Sequence, residues 1–360
     1  MSRLAGLVLA LGLTGTAAAQ EKVVRIYNWS DYIDPSILTD FTEKTGIKVV
    51  YDVYDNNNIL ETKLLAGNTG YDLVVPSAYF LSRQIQAGIF AELDRPRIPN
   101  WNELDPGLMR RVAKFDPDNR HAIIYMWGTT GFAYNVEAIR QRMPDAPLDS
   151  WRMIFDPAVA SRFADCGIYL LDAADDMIPA ALNYLGLDPN STSQADLEKA
   201  QDVLMKVRPY VRKFHSSEDI NALASGDICL ATIYSGDAGI AASRAEEAKN
   251  GIEVKYQIPK EGAQIWFDMM AMPKDAPDPD NAYAFLNYFL QPEVIAKATN
   301  FVTYPNAVPA SRQFVKEEIL EDPNTYPPDE LMKRLYTKKT YDQRTQRIIT
   351  RIWQTVTSGG

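Results

Sequence analysis

The sequence predicts an α/β protein with two lobes, each a mixed, mainly parallel sheet flanked by helices. Strand and helix patterns alternate from the N-terminus, which is typical of parallel sheets. The chain has 360 residues, and a chain of this length usually divides into units that each have their own hydrophobic core. Hydrophobic residues make up 46% and charged residues 23%, which is typical of a soluble globular protein.

The N-terminal half contains a strand–helix–strand–helix–strand unit. A strand at 23–27 is followed by a helix with Asp34 as N-cap, Pro35 at its first position and Gly46 at its end. The remaining elements of the unit are a strand at 47–53, a helix through 59–65 ended by Gly67 and a strand at 71–75. Because ligands bind at the carboxyl ends of such strands, the segments 29–32 and 77–80 are candidate binding loops.

The glycine-rich segment 127–131 follows a strand at 122–126. It fits either a hinge into the second lobe or an ordinary hairpin. Further strands are expected at 167–171, 228–233, 252–258 and 267–272. The chain from Asn281 onward is expected to be mostly helical.

The first nineteen residues have the pattern of a secretory signal peptide. Arg3 precedes an apolar run at 4–13, and the segment ends in small residues at 17–19. A tethered N-terminal helix is the alternative, but the apolar run is too short to span a bilayer. The mature protein is therefore expected to be exported.

The acidic balance restricts the class of partner. The chain has 47 acidic and 37 basic residues, for a net charge of -10. This disfavours binding to nucleic acid or anionic lipid and favours cationic ligands.

Cys166 and Cys229 are the two cysteines of the chain. In an exported protein they suggest one disulfide, with two buried free thiols as the alternative. His121 and His215 are not at ligand spacing from either cysteine, so no metal is predicted, and no cofactor is expected.

Aromatic and acidic side chains cluster in the segments at strand ends. The aromatic members are Trp29, Tyr32, Tyr79, Tyr234, Trp266 and Tyr304, and the acidic members are Asp31, Asp172, Asp175, Asp237 and Asp268. Carboxylates bind ammonium groups, and aromatic faces pack on methylenes and attract cations, so this mixture suits an organic polycation.

Each candidate also has a purely structural alternative. Trp29 and Trp266 fit core positions, and Asp31 and Asp175 fit helix caps. Asp237 fits an exposed turn. Asp268 differs from these, because an acid within an apolar run must be paired or face a cavity if it is buried.

Several long motifs resemble the periplasmic putrescine- and spermidine-binding proteins of ABC transporters. The motifs are WSDY at 29–32, YDLVVPSAYFL at 71–81, WGTTGFAYN at 127–135, NYLGLDPNS at 183–191, FHSSEDINALASGDICLA at 214–231 and FLNYFLQP at 285–292. The resemblance implies a type II periplasmic binding protein that holds a polyamine in the cleft between its lobes. It divides the chain into lobe 1, at 20–126 and about 246–291, and lobe 2 with C-terminal helices, at about 127–245 and 292–360.

The resemblance also implies roles for the candidate residues. Trp29, Tyr234 and Trp266 correspond to the aromatic box, with Asp237 and Asp268 as the paired carboxylates for one amine. Further lining residues implied in this way are Ser30, Asp31, Tyr32, Ser77 and Asp175 at the other end, and Tyr304. The cysteine pair matches a disulfide of the family.

The choice of polyamine depends on the number of acids and the extent of the aromatic wall. Asp172 beside Asp175, with Tyr79 and Trp266, resembles the spermidine-preferring members, so spermidine is favoured and putrescine is also expected to bind. Asp172 as a helix cap is the alternative. The implied protein is a periplasmic monomer that delivers its ligand to permease subunits in the inner membrane.

Three other functions remain open. Asp237 and Asp268 could serve a hydrolase as acid and base, but no HExxH, G-x-S-x-G or P-loop pattern is present, so no enzyme activity is expected. A binding protein of the same fold for another organic cation is the second alternative. The third is a polyamine sensor without a role in import.

Overall fold

The computed structural model describes residues 22–54 and 56–359. The predicted signal peptide at 1–19 lies outside the described residues. The strands are β1 Val23–Trp29, β2 Lys48–Tyr54, β3 Leu73–Val74, β4 Ala122–Asn135, β5 Ile168–Leu170, β6 Val211–Phe214, β7 Leu230–Tyr234, β8 Val254–Gln257 and β9 Gln264–Ala271. The helices in the first half are α1 Pro35–Thr45, α2 Asn57–Ala66, α3 Ala78–Gln86, α4 Pro106–Val112, α5 Val136–Arg142, α6 Arg152–Phe155, α7 Pro157–Ala160 and α8 Ala174–Tyr184. Those in the second half are α9 Gln194–Val207, α10 Glu218–Ser225, α11 Ser235–Ala248, α12 Pro279–Phe289, α13 Pro292–Val302, α14 Glu317–Leu320, α15 Asp329–Met332 and α16 Gln343–Ser358.

The strands form a mixed sheet in the order β2-β1-β3-β9-β4-β7-β5-β6, with β8 also paired to β4. β1 is parallel to β2 and β3, and β5 is parallel to β6 and β7. The pairs that involve β4 or β9 are antiparallel. Two parallel units are thus joined through antiparallel central strands, and the predicted two-lobed α/β fold is confirmed.

β4 runs without a break from the first unit into the second. The part of β4 from Ala122 to Thr130 pairs with β9, and its last part pairs with β7 and β8. All fourteen of its residues are buried. The segment 127–131 is therefore neither a loop hinge nor a hairpin, because its glycines lie within this crossing strand.

Two large hydrophobic cores lie on either side of the crossing. The first contains apolar residues of 24–127 and 258–308, and the second contains those of 132–230 and 341–356. α13 packs in the first core through Val294, Ile295 and Val302, although the division implied by the family resemblance places it in lobe 2. β8, which was assigned to lobe 1, packs through Val254 with α10 and α11. Each of these two elements packs with the sheet or helices that cover its apolar face. The order of elements along the chain does not show which sheet or helices those are.

The N-terminal unit follows its local signals closely. Asp34 accepts a hydrogen bond from the Ser36 amide at the start of α1, and Gly46 ends the helix with φ 71°. β3 has only two residues, fewer than predicted. In α2, Ile59 and Leu65 are exposed, so its buried face is narrower than the apolar spacing indicates.

The predicted disulfide is present. Cys166 and Cys229 are bonded, with their Cα atoms 5.6 Å apart. Their bond ties the segment before β5 to the start of β7, within the second core. Among the described residues, no helix is both long enough and apolar enough to cross a bilayer.

Candidate functional site

Asp268 is the most deeply buried acid among the predicted site residues. It lies on β9 and is 5% exposed. Ser77 Oγ donates to Asp268 Oδ1 at 2.7 Å, and the Tyr32 hydroxyl donates to Oδ2 at 2.9 Å. Ser77 is itself held by Asn57 Nδ2, which donates to its Oγ at 3.0 Å. The two candidate loops therefore meet at one carboxylate, as expected for the carboxyl ends of neighbouring strands.

Burial changes the acidity of Asp268. Removal from water raises its pKa to about 6, and the hydrogen bonds from Ser77 and Tyr32 lower it in part. Within the described residues this carboxylate forms no ion pair, so a cation beside it would stabilise its charged form.

Asp237 lies in the first turn of α11, the helix that follows β7. The Tyr304 hydroxyl donates to Asp237 Oδ1 at 2.9 Å, although Tyr304 belongs to the first core. Burial raises the pKa of Asp237 to about 6, against the lowering effect of this hydrogen bond. Asp237 likewise has no ion-pair partner in the part of the chain that the structure describes.

Aromatic rings lie between these acids. The Trp266 ring contacts Tyr304 edge-on at 5.2 Å and Tyr234 edge-on at 5.8 Å, measured between centroids. Tyr32 meets the Tyr304 ring at 5.7 Å. The four rings form a continuous wall of the kind that packs on methylene groups and attracts cations.

Two glycines allow these rings to approach the backbone closely. A Cβ atom on Gly128 would lie 2.5 Å from the Trp266 ring, and one on Gly236 would lie 2.4 Å from the Tyr304 ring. Both distances are shorter than van der Waals contact. The glycines therefore let strand β4 and helix α11 form part of the wall beneath the rings.

Four carboxylates surround the Tyr234 hydroxyl, and we call the region between them and the aromatic wall the acidic chamber. Burial, followed by the charges of four surrounding carboxylates, raises the pKa of the Tyr234 hydroxyl well above its usual value. In order of effect these carboxylates are Asp176, Asp237, Asp219 and Asp268. A cationic ligand would be attracted to this region.

Asp176 and Asp219 were not among the predicted site residues. Asp176 accepts from Thr130 Oγ1 at 2.9 Å and from Gln264 Nε2 at 3.1 Å, and burial raises its pKa to about 6. Asp219 is fully buried, and neither of its carboxylate oxygens has a hydrogen-bond partner of good geometry among the described residues. Burial, and then the charge of Asp237, raises the pKa of Asp219 to about 7. Their burial depends on packing, which no local pattern signals.

Asp175, at the start of α8, forms an ion pair with a lysine of the same chain. Lys338 Nζ lies 2.6 Å from Asp175 Oδ2 and 4.0 Å from the centroid of the Tyr79 ring. Lys338 was not predicted either, because nothing distinguishes it in sequence from its neighbour Lys339. The structure thus brings Tyr79 and Asp175 together, but around a lysine.

The other predicted residues lie at the edge of this arrangement. Trp29 donates from Nε1 to the Val75 carbonyl at 2.9 Å and packs on Tyr54, so one part of its ring system belongs to the core. Ser30 and Asp31 are exposed, and Asp31 has a positive φ of 52°. Asp172 is exposed and accepts from Trp353 Nε1 at 2.8 Å, which ties it to α16 rather than to the chamber residues.

No group of three or more histidine, cysteine or acidic residues has the arrangement of a metal site, as far as the described residues extend. The site combines two kinds of group that can contact a cation. Buried carboxylates supply hydrogen-bond acceptors and charge, and the rings between them supply an apolar surface with negative faces.

Comparison with known proteins assigns the family. The model of the bacterial extracellular solute-binding proteins matches residues 36–327. The chain is 50% identical to the putrescine-binding periplasmic protein of Escherichia coli, over 99% of this chain and 96% of that protein. It is 48% identical to the putrescine-binding periplasmic protein of Pseudomonas aeruginosa, over the whole of both chains.

A solved structure has the same fold. The spermidine/putrescine substrate-binding protein of Streptococcus pneumoniae superimposes with a TM-score of 0.81 at 30% identity, covering 94% of this chain and 99% of that one. The matches in sequence and structure extend over both cores and the strand that joins them. The chain therefore belongs to the bacterial extracellular solute-binding proteins, in the group that contains the periplasmic putrescine-binding proteins of ABC transporters.

Proposed function

We propose that this protein binds polyamines in the periplasm, putrescine first among them, and delivers them to an ABC importer without chemical change. The observation that carries the proposal is the pair of carboxylates Asp237 and Asp268. Both lie against a wall of aromatic rings, and neither forms an ion pair within the described residues, although the charge of Arg244 acts on Asp237 from farther away. The ammonium of a bound amine would supply the missing charge.

The relatives support putrescine over spermidine, the polyamine expected from Asp172, Tyr79 and Trp266. Those at 50%, 48% and 41% identity are described as binding putrescine, or putrescine and agmatine. The relatives described as binding spermidine and putrescine are about 31% identical. Spermidine is therefore placed second.

The geometry supports capture by closure of the two lobes. Asp268 is held by Ser77 and Tyr32 on the side of the first core, whereas Asp237 belongs to α11, the helix that follows β7 of the second parallel unit. An ammonium that contacts both carboxylates therefore binds the closed form more tightly than the open form. This difference in affinity shifts the equilibrium between the open and closed forms of the protein toward the closed form.

Calorimetric titration with putrescine tests the proposal. The wild-type protein is expected to bind one equivalent, and Asp237→Asn to weaken binding by at least about 2 kcal/mol, or about 30-fold in Kd. Asp202→Asn, an exposed aspartate on α9, is the matched control and should leave Kd unchanged. Lack of putrescine binding by the wild type, or an unchanged Kd for Asp237→Asn, would overturn the assignment.

A further inference from the structure

Lys338 places an ammonium group at one end of the acidic chamber. Its side chain is 11% exposed, and its Nζ lies 2.6 Å from Asp175 Oδ2 and 4.0 Å from the Tyr79 ring centroid. A carboxylate on one side and an aromatic face on the other are the two contacts by which a protein recognises an alkyl ammonium ion. The lysine thus occupies this end as the terminal amine of a ligand would.

We propose that Lys338 is a fixed internal ammonium that closes this end of the cleft and limits the ligand to a short diamine. The inference rests on the proposed function and specifies the class of amine that the site takes. A triamine would place its third ammonium where Lys338 already lies, and it would meet like charge and occupied space there. A diamine needs only the part of the chamber that Lys338 leaves open.

Strand β9 provides a scale for the chamber. Gln264, Trp266 and Asp268 alternate along the strand and share one face, with Trp266 in the middle. Gln264 bonds Asp176, the neighbour of Asp175, while Asp268 holds the opposite end. Four residue steps along the strand separate the Cα atoms of Gln264 and Asp268 by about 13 Å. Lys338 therefore removes one end of a chamber that would otherwise suit a longer amine.

The segment that carries Lys338 is held on both sides. The Tyr336 amide donates to the Ala263 carbonyl at 3.0 Å, and the Ile265 amide donates to the Tyr336 carbonyl at 2.9 Å. Asn190 then binds the backbone on either side of Lys338, at the Thr337 carbonyl and the Lys339 amide. This anchoring to β9 and to the α8–α9 connection favours a permanent ammonium over one that a ligand displaces.

Charge balance gives the expected effect of removing the lysine. Lys338 pairs with Asp175 and attracts Asp176, which is buried next to it. The other oxygen of Asp175, Oδ1, is buried without a hydrogen-bond partner of good geometry among the described residues. Without the lysine, two adjacent carboxylates would lack a cation, and the third ammonium of spermidine could supply it.

Calorimetric titration of Lys338→Met with putrescine and with spermidine tests the inference. The ratio of the spermidine Kd to the putrescine Kd is expected to fall at least tenfold relative to the wild type. Lys339→Met is the matched control, because Lys339 is the adjacent, exposed lysine, and its ratio should equal that of the wild type. Lys338→Arg keeps the charge and should keep the preference for putrescine, and it serves as the informative variant if Lys338→Met does not fold.

Two results would overturn the inference. The first is an unchanged ratio for Lys338→Met, and the second is an equal gain in affinity for both amines, which would identify Lys338 as a displaceable competitor. A ratio for Lys338→Arg that shifts toward spermidine would also contradict it. Failure of the wild type to bind either amine is a different result, because it would remove the proposed function itself.

Discussion

The Tyr304 hydroxyl donates a 2.9 Å hydrogen bond to Asp237, and this bond crosses from the first core to the first turn of α11. It fixes one oxygen of the carboxylate and favours its charged form. The other oxygen, Oδ2, remains as an acceptor for a ligand. Tyr304 thereby orients Asp237 and forms part of the aromatic wall at the same time.

Tyr304→Phe should weaken putrescine binding about tenfold while leaving the ring in place. The lost hydrogen bond is one to a charged group, which is worth about 1.5 kcal/mol or more. Calorimetric Kd values for the variant and the wild type measure the effect. Tyr326→Phe is the control, because the Tyr326 hydroxyl is buried without a hydrogen-bond partner of good geometry among the described residues. Equal loss of affinity in both variants would contradict a specific role for the Tyr304 hydroxyl.

Putrescine affinity should fall as the pH drops below about 6. Asp237 and Asp268 each have a pKa raised to about 6 by burial, so below that value both become neutral in the empty protein. A diammonium ligand must then displace protons before it binds, which weakens the apparent Kd. Above about pH 7 the Kd should be constant. Titrations from pH 5 to 8 test this, and a Kd that does not change across the range would count against these pKa values.

Gly236→Ala should weaken putrescine binding at least tenfold without destabilising the empty protein. The added Cβ would lie 2.4 Å from the Tyr304 ring and would oppose closure of α11 on the first core. In an open form the added Cβ would not meet this ring, and alanine is a better helix former than glycine, so the stability of the empty protein should not fall. Thermal melts without ligand and calorimetry with putrescine separate the two effects. Retention of wild-type affinity would show that the ring does not approach Gly236 in the bound form.

Asp219→Asn should stabilise the empty protein at pH 8. Burial and Asp237 raise the pKa of Asp219 from 3.8 to about 7, so the folded state holds this proton more tightly than the unfolded chain. Wild-type stability contributed by this group is therefore lost as the pH rises from about 4 to 7. The amide removes a buried charge, and the gain should be at least about 1 kcal/mol at pH 8.

Thermal or denaturant unfolding at pH 8 and pH 4 measures this difference. At pH 4 Asp219 is protonated in the folded state, so the gain should shrink toward zero. Asp202→Asn, at an exposed position, should show no difference between the two pH values. A gain for Asp219→Asn that is equal at both values would exclude ionisation of this group as the cause.

Elements with local signals were predictable from the sequence. The cap at Asp34 and the stop at Gly46 lie within α1 itself, and the acid in an apolar run at Asp268 needed partners if buried. Tyr32 and Ser77 follow the neighbouring strands β1 and β3, which brings both side chains to one edge of the sheet, where they meet Asp268 of β9. In each case the residue type and its immediate neighbours determine the outcome.

Features that depend on packing between distant segments were not predictable in this way. The glycines at 128 and 131 predict an interruption of the strand, but pairing with β9 and β7 keeps that segment extended. Asp219 lies in the first turn of α10, where acidic residues are common and usually exposed. It is buried because α10 packs on α11. Lys338 lies more than 150 residues from Asp175, so no local pattern joins them.

The unbroken strand β4 has a consequence for how the two halves of the molecule can move. At Thr130 it is flanked at once by Gln264 of β9 and Tyr234 of β7, so both neighbours are hydrogen-bonded to it at the crossing point. A strand held in this way bends and twists elastically, whereas a glycine loop would swivel freely. Movement of the two halves relative to each other must therefore act through bending and twisting of this strand, rather than through rotation about a loop.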